Sequence, residues 1–136
     1  MLEDIQVWLE AQQLVGKKAG WPCFRGYMPA YQKDVVPEQV VVLTERAAGP
    51  APLRSGSHPK PRGLQVRIRT AAWDQDGGLD HIRAIYKALC GIRRNTIGST
   101  NIRWVEAHHA SPIPLGADKS GRFEFSWNFT IAASAR

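Results

Sequence analysis

The chain has 136 residues and a formal net charge of +6, and its length predicts one domain rather than two. Hydrophobic residues make up 43% and charged residues 22%, which excludes the composition of a disordered chain. No apolar run reaches the ~18 residues of a membrane-spanning helix, and residues 1–14 carry three acidic side chains and no basic region typical of a signal peptide. We therefore expect a single domain over residues 1–136, located in the cytoplasm and without a membrane partner.

Most of the positive charge lies in the middle of the chain. Residues 46–103 carry eleven basic and three acidic side chains, whereas residues 1–45 carry four basic and six acidic ones. No acidic residue occurs between Arg46 and Trp73. Such a segment indicates an acidic protein surface or a polyanion such as DNA as the partner, and ordinary solvated surface charge is the alternative.

Two segments have the periodicity of amphipathic helices. Leu2 to Lys17 places apolar residues at spacings of three and four, with Lys17 and Lys18 at its end. Asp76 to Gly91 repeats the pattern, with acidic residues near its start and a glycine suited to its end. The preceding Asp74-Gln75-Asp76-Gly77-Gly78 resembles the opening of a calcium loop but lacks the later acidic ligand, so we interpret it as a helix-capping turn.

The strand predictions rest on β-branched runs and on alternation. A short edge strand and turn are predicted within residues 21–29, a buried strand at Gln39 to Glu45, and another strand from Ile102 to His108. Gly63 to Thr70 predicts a strand with Gln65, Arg67 and Arg69 on a wet, basic face. Arg122 to Ile131 shows the clearest alternation, and its aromatic side is expected to be core rather than a base-stacking surface.

Residues 46–62 are rich in proline and glycine, so we expect an extended, mobile loop that protrudes from the sheet as a long hairpin connection. The predicted fold class is α+β: a mainly antiparallel sheet with both helices packed on one face. The candidate partner-binding residues lie in this loop and the strand after it: Leu53, Arg54, Lys60, Arg62, Arg67 and Arg69.

Sequence motifs for chemistry are missing from this chain. It has no GxSxG, no GxxxxGK[ST] and no GxGxxG after a strand, so we predict no catalytic residue, no cofactor and no enzymatic activity. The histidines share no ligand pattern, which argues against a metal site. Cys23 and Cys90 are interpreted as buried free thiols, with a disulfide between them as the open alternative.

Several strings, taken in order, resemble one family. They are WPCFRGYMP (21–29), DVVPEQVVVLT (34–44), GLQVRIR (63–69), IYKALCG (85–91) and SPIPLGADKSGRFEFSWNFTI (111–131). Together they resemble the small minor capsid or tail terminator proteins of long-tailed bacteriophages. The resemblance implies an α+β protomer that closes into a ring, typically a hexamer, which caps the tail tube and meets the head connector.

The leading hypothesis is therefore a structural virion protein, a ring-forming tail terminator or tail-completion component for head–tail joining. Its expected partners are further copies of the same chain, the tail tube protein and the head connector proteins, with DNA close by. Its expected location is the virion, and the host cytoplasm during assembly. The alternative hypothesis is a small basic nucleic-acid-binding protein that uses residues 46–69, and an uncharacterised enzyme is the third.

Overall fold

The computed structural model of the chain describes residues 1–46 and 60–135. In this part of the chain, two helices and seven strands follow one another: α1 (Leu2–Ala11), β1 (Cys23–Arg25), β2 (Val40–Arg46), β3 (Lys60–Ala72), α2 (Gln75–Cys90), β4 (Arg93–Ile97), β5 (Thr100–Ala107), β6 (Ile113–Ala117) and β7 (Arg122–Ala135). No helix among these residues is long and apolar enough to cross a membrane.

The described strands form one sheet in the order β1-β2-β3-β7-β5-β4. The β1–β2 pair is parallel and every other pair is antiparallel. β7 is central: β3 pairs with it on one side, while β5 and β6 pair with successive parts of it on the other. The fold class predicted from the sequence, α+β with a mainly antiparallel sheet, is confirmed.

Both helices pack into a single core. Ile5 and Leu9 of α1, together with Ile82, Ile85 and Leu89 of α2, are fully buried in one cluster with the apolar side chains of the strands. The alternating aromatic residues of β7 belong to this cluster, and Trp127 stacks on Tyr86 of α2 with ring centroids 4.3 Å apart. The aromatic side of β7 is therefore core, as its alternation predicted.

Asp4 ties α1 to the turn between β4 and β5. Its Oδ2 accepts hydrogen bonds from the hydroxyls of Ser99 (3.1 Å) and Thr100 (2.7 Å), and the bond from Thr100 lowers the pKa of this carboxyl. Gly98 makes the approach feasible, since its φ is +59° and a Cβ there would lie 2.1 Å from the Asp4 carboxylate. α1 contacts both β2 and β4, which lie toward opposite ends of the strand order, so the sheet curls around this helix.

The first helix is shorter than predicted. It ends at Ala11 rather than Lys17, because Gln13 adopts a left-handed conformation with φ of 62° and the N–H of Leu14 bonds back to the carbonyl of Leu9. Residues 12–20 form turns, a bend and an isolated bridge from Gly16 to Trp21, so Lys17 and Lys18 do not lie at a helix end. The second helix begins one residue earlier than predicted, and Asp74 caps it by accepting a bond from the N–H of Gly77 (3.2 Å), which confirms the capping turn.

The predicted loop 46–62 is shorter at both ends. Arg46 is the last residue of β2, and β3 begins at Lys60 and pairs with β7 from there on. Pro61 is tolerated because the pairing of β2 with β3 ends at Gly63, so residues 60–62 pair with β7 alone among the described strands. The rest of the loop, residues 47–59, lies outside the described residues, and its protrusion and mobility stay predictions.

Two strands and one irregularity were missed by the sequence reading. β4 has too few apolar residues to show a strand pattern, and β6 contains Pro114 and Gly116, which are depleted in strands. The strand predicted from Ile102 to His108 does not alternate regularly. A register shift between Ile102 and Trp104 buries Ile102 and Val105 and leaves Trp104 exposed.

Candidate functional site

The structure describes half of the predicted partner-binding set with its side chains. Leu53 and Arg54 lie outside the described residues, and Lys60 is described only through its backbone as the first residue of β3. Arg62, Arg67 and Arg69 follow along the same strand, and their contacts show how much of the expected basic surface is available to a partner.

Two of these arginines make ion pairs with neighbouring strands. Arg62 Nε lies 3.0 Å from the Glu45 carboxylate of β2, with both side chains about two-fifths exposed. An Arg67 terminal nitrogen lies 3.0 Å from Oε1 of Glu124 on β7, a pair that is more buried. Arg62 and Arg67 are therefore paired with acids on adjacent strands, although no acidic residue lies between Arg46 and Trp73 in the sequence. Exposed pairs of this kind contribute little to stability but do cancel charge.

Arg69 is not part of an exposed basic face. It is 5% exposed, and its guanidinium donates hydrogen bonds to the carbonyls of Pro29, Pro37 (2.7 Å) and Glu38 (2.7 Å). Burial lowers the pKa of this group. The expectation of a wet face on β3 is therefore wrong at Arg69, because the segment between β1 and β2 folds over it. The side chain anchors that segment to the sheet.

Arg122 extends this internal network at the start of β7. Its guanidinium lies 2.9 Å from Glu38 and 3.2 Å from Asp118, and it stacks over the Tyr31 ring with 4.1 Å to the centroid. The side chain is 13% exposed. The Arg122 side chain is thus held by contacts within the chain.

A second basic surface lies at the opposite edge of the sheet, and we call it the β4 edge: Lys87, Arg93, Arg94 and Arg103. All four side chains are exposed, and none forms an ion pair with any acid in residues 1–46 and 60–135. Two clefts open here. One of about 450 Å³ is lined by Trp8, Ala88, Ile92 and three of these bases, and one of about 360 Å³ is lined by Arg94, Asn101, Ile102 and Arg103.

Trp73 is the most exposed large apolar residue in the described part of the chain, at 76%. Its φ of 62° is a left-handed conformation that bulky side chains rarely adopt. The strained backbone is held by a 2.8 Å bond from the Trp73 N–H to the carbonyl of Gly121. The indole lies over Gly121, where a Cβ would be 2.4 Å from the ring. An exposed aromatic on strained backbone is typical of a functional position.

The sequence reading did not select Trp73 or the β4 edge. Arg93 and Arg94 follow the glycine that ends α2, and Trp73 precedes the aspartate that caps it, so both flank a helix whose bounds were nearly predicted. What the sequence did not reveal is exposure. The spacing of a tryptophan between two predicted elements is the same whether its ring packs inward or outward.

The thiols and histidines do not form a reactive centre in the described residues. Burial raises the pKa of Cys23 to about 12 and also raises that of Cys90, so both are protonated thiols, and both are free rather than bridged. Burial lowers the pKa of His81, which stacks on Trp21 at 4.2 Å and bonds to the carbonyl of Leu14. Residues 1–46 and 60–135 contain no group of three metal-ligating side chains.

Comparison with known proteins decides the family. The family model described as "Bacteriophage tail terminator protein" matches residues 4–134, which include all or nearly all of every described strand and most of both helices. The chain belongs to the bacteriophage tail terminator family. No similar sequence was found among curated proteins.

Membership of the tail terminator family makes this chain a structural component of the phage tail and therefore of the virion. It also implies contact with other tail or head proteins, so the exposed features described above are candidate assembly surfaces. The resemblance found in the sequence alone is confirmed at this level.

Proposed function

We propose that this tail terminator forms a closed ring, typically of six copies, at the end of the tail tube and joins the tube to the head connector. The observation that carries the proposal is the family match over residues 4–134. The fold supports it, since the protomer has two sheet edges, β1 and β4, and carries an exposed aromatic residue, Trp73, and the exposed bases of the β4 edge. Its role is assembly rather than catalysis, and it needs no cofactor.

The direct test uses phage tails made without this protein. Purified wild-type chain is added to such tails, then filled heads are added, and joined particles are counted in negative-stain images. We expect the chain to appear as a ring at one tail end and to restore joining. Tails that remain bare and unjoined at saturating protein would rule out the proposal.

The predicted loop contact is a second part of the same proposal. Leu53, Arg54, Lys60 and Arg62 would contact the tube or connector, so reversing the three bases to Glu should abolish joining. Thermal stability should change little, because the Arg62–Glu45 pair is exposed. The matched control reverses Lys17, Lys18 and Lys119, which are exposed and outside the loop, with the same change in net charge. If the loop variant joins tails to heads as often as the control does, the bases of the loop are not the charged contact.

The nucleic-acid alternative has one specific observation in its favour, the four exposed bases of the β4 edge. A DNA contact there would give an affinity that falls steeply with salt, and Arg94→Glu would reduce the log–log slope by about 1 for one lost phosphate contact. We expect only weak binding of free duplex, because Arg62 and Arg67 of β3 are in ion pairs and Arg69 is buried. Titration of labelled duplex at several salt concentrations separates the two functions.

A further inference from the structure

We infer that Trp73 of one copy docks into the cleft at the β4 edge of the next copy, and that this head-to-tail contact is the centre of the subunit interface. The inference rests on the proposed ring and names the surfaces that would close it. The occupant of the cleft is a second copy of this chain, because the chain carries both halves of the contact.

The first half is a knob. Trp73, the residue before the cap of α2, is 76% exposed; its N–H bonds to the carbonyl of Gly121, and its indole lies over that glycine. Asp74, Asp76 and Asp80 surround this end of the helix and are exposed. An indole that stays in water gives up the burial of roughly 150–250 Å² that aromatic side chains normally gain, so a partner surface is needed to recover it.

The second half is a cleft with matching chemistry. Its volume of about 450 Å³ lies between α1 and the last turn of α2, with apolar atoms from Trp8, Ala88 and Ile92. Lys87, Arg93 and Arg94 form a cationic border on the same cleft. An aromatic ring that enters would contact the apolar residues and the guanidinium groups, while its neighbouring aspartates would meet the cations.

The position of the two halves dictates the geometry of association. The knob precedes the first turn of α2 and the cleft flanks its last turn, so a helix of 16 residues, about 24 Å long, separates them. One copy therefore cannot fill its own cleft. Contact between two different surfaces leaves a knob unused at one end and a cleft at the other, so copies add until the rotation between them closes a ring; a rotation that does not close would give an open filament.

Knob and cleft form the centre of the interface rather than its whole area. A stable interface buries about 1,200–2,000 Å² in total, several times what one indole contributes. Energetic centres of interfaces are enriched in Trp and Arg, and the proposed contact would bring Trp73 to Arg93 and Arg94. The charged residues around them would set orientation and partner choice.

The test uses two charge-reversed variants of the full chain. The knob variant carries Asp76→Lys and Asp80→Lys and keeps the Asp74 cap, and the cleft variant carries Lys87→Glu and Arg94→Glu. Each should remain unassembled in sedimentation velocity at low ionic strength, where the wild type assembles. An equimolar mixture should assemble again, because each lysine knob meets a glutamate cleft and each wild-type knob a wild-type cleft. Native mass spectrometry should then show equal numbers of both chains.

Two further variants separate the docking of Trp73 from the charge effect. Trp73→Ala should weaken assembly by roughly tenfold or more, as expected for the centre of an interface. Tyr27→Ala removes an aromatic ring that is 65% exposed elsewhere, and it should assemble like the wild type. The charge control, Lys17→Glu with Lys18→Glu, should also assemble normally.

The inference fails if the wild type assembles and the knob or cleft variant does so equally well, or if the mixture of the two does not recover. It also fails if the wild type stays monomeric in solution and on tails. The proposed function is tested separately, because the joining of tails to heads is counted in its own experiment. If the wild type and the charge-reversed variants join tails to heads equally well, the proposed function stands and the proposed interface is wrong.

Discussion

The arginines of β3 and those of the β4 edge look alike in the sequence and differ in their surroundings. Arg67 and Arg69 face acids and carbonyls contributed by β7 and by the segment before β2. Arg94 and Arg103 lie on the last two strands of the sheet path and are exposed. The density of charge along a chain is thus a poor measure of the charge that a partner meets, since neighbouring strands decide which side chains are already paired.

The largest effect on stability is expected in the core that supports both regions. Phe125 is 2% exposed in the cluster beneath α2, so Phe125→Ala should lower the free energy of unfolding by about 3–5 kcal/mol. Urea denaturation followed by circular dichroism measures this. A loss below about 1 kcal/mol would mean that the aromatic side of β7 is not a packed core.

Arg69 should behave almost like a core residue. Arg69→Met leaves the carbonyls of Pro29, Pro37 and Glu38 without their donor, and we expect a loss of about 2–4 kcal/mol. The same denaturation experiment applies, and proteolysis should show faster cleavage within residues 26–38. If the variant is as stable as the wild type, Arg69 contributes no more to folding than an exposed arginine, and the two regions do not differ in stability.

Arg67 should give an intermediate result. Its 3.0 Å pair with Glu124 is one-third exposed, so a double-mutant cycle with Arg67→Met and Glu124→Gln should return a coupling energy of about 0.5–1 kcal/mol. The coupling should weaken in high salt. A coupling near zero would show that the pair does not neutralise Arg67 in solution, and β3 would regain a basic face.

Arg94 should contribute least to folding. It is exposed and outside every ion pair among the described residues, so Arg94→Met should change the free energy of unfolding by less than about 0.5 kcal/mol. The same variant should weaken assembly, since Arg94 lines both clefts. A large loss of stability would show that Arg94 supports the fold, as Arg69 of β3 does, and that the two basic regions do not differ in this respect.

The elements that could be predicted from the sequence are those whose pattern is local. The alternation of Phe125 and Trp127 indicated both the strand and its buried face, and the apolar stripe of α2 gave that helix within one residue. β6 could not be predicted, because Pro114 and Gly116 are tolerated only through its pairing at the side of β7.

The contacts that redefine the candidate site are non-local. Arg69 is bound by carbonyls more than thirty positions away, and Glu124 meets Arg67 across 57 positions. No window of sequence contains both partners of such a pair. The resemblance to tail terminators was found without these contacts because it rests on ordered strings, whereas the surface that remains for assembly depends on them.

The central place of β7 has a consequence for synthesis on the ribosome. β7 follows the other described strands in the chain, yet β3, β5 and β6 all pair with it. β3 and β5 therefore leave the ribosome with the backbone groups of one edge unpaired until β7 has been made. The hydrogen bond from Thr100 to Asp4 likewise joins residues 96 positions apart. Pairings this distant slow folding and expose strand edges to aggregation in the interval. Copies can thus enter an assembly only after translation has passed β7, which sets a delay between synthesis and incorporation into the tail.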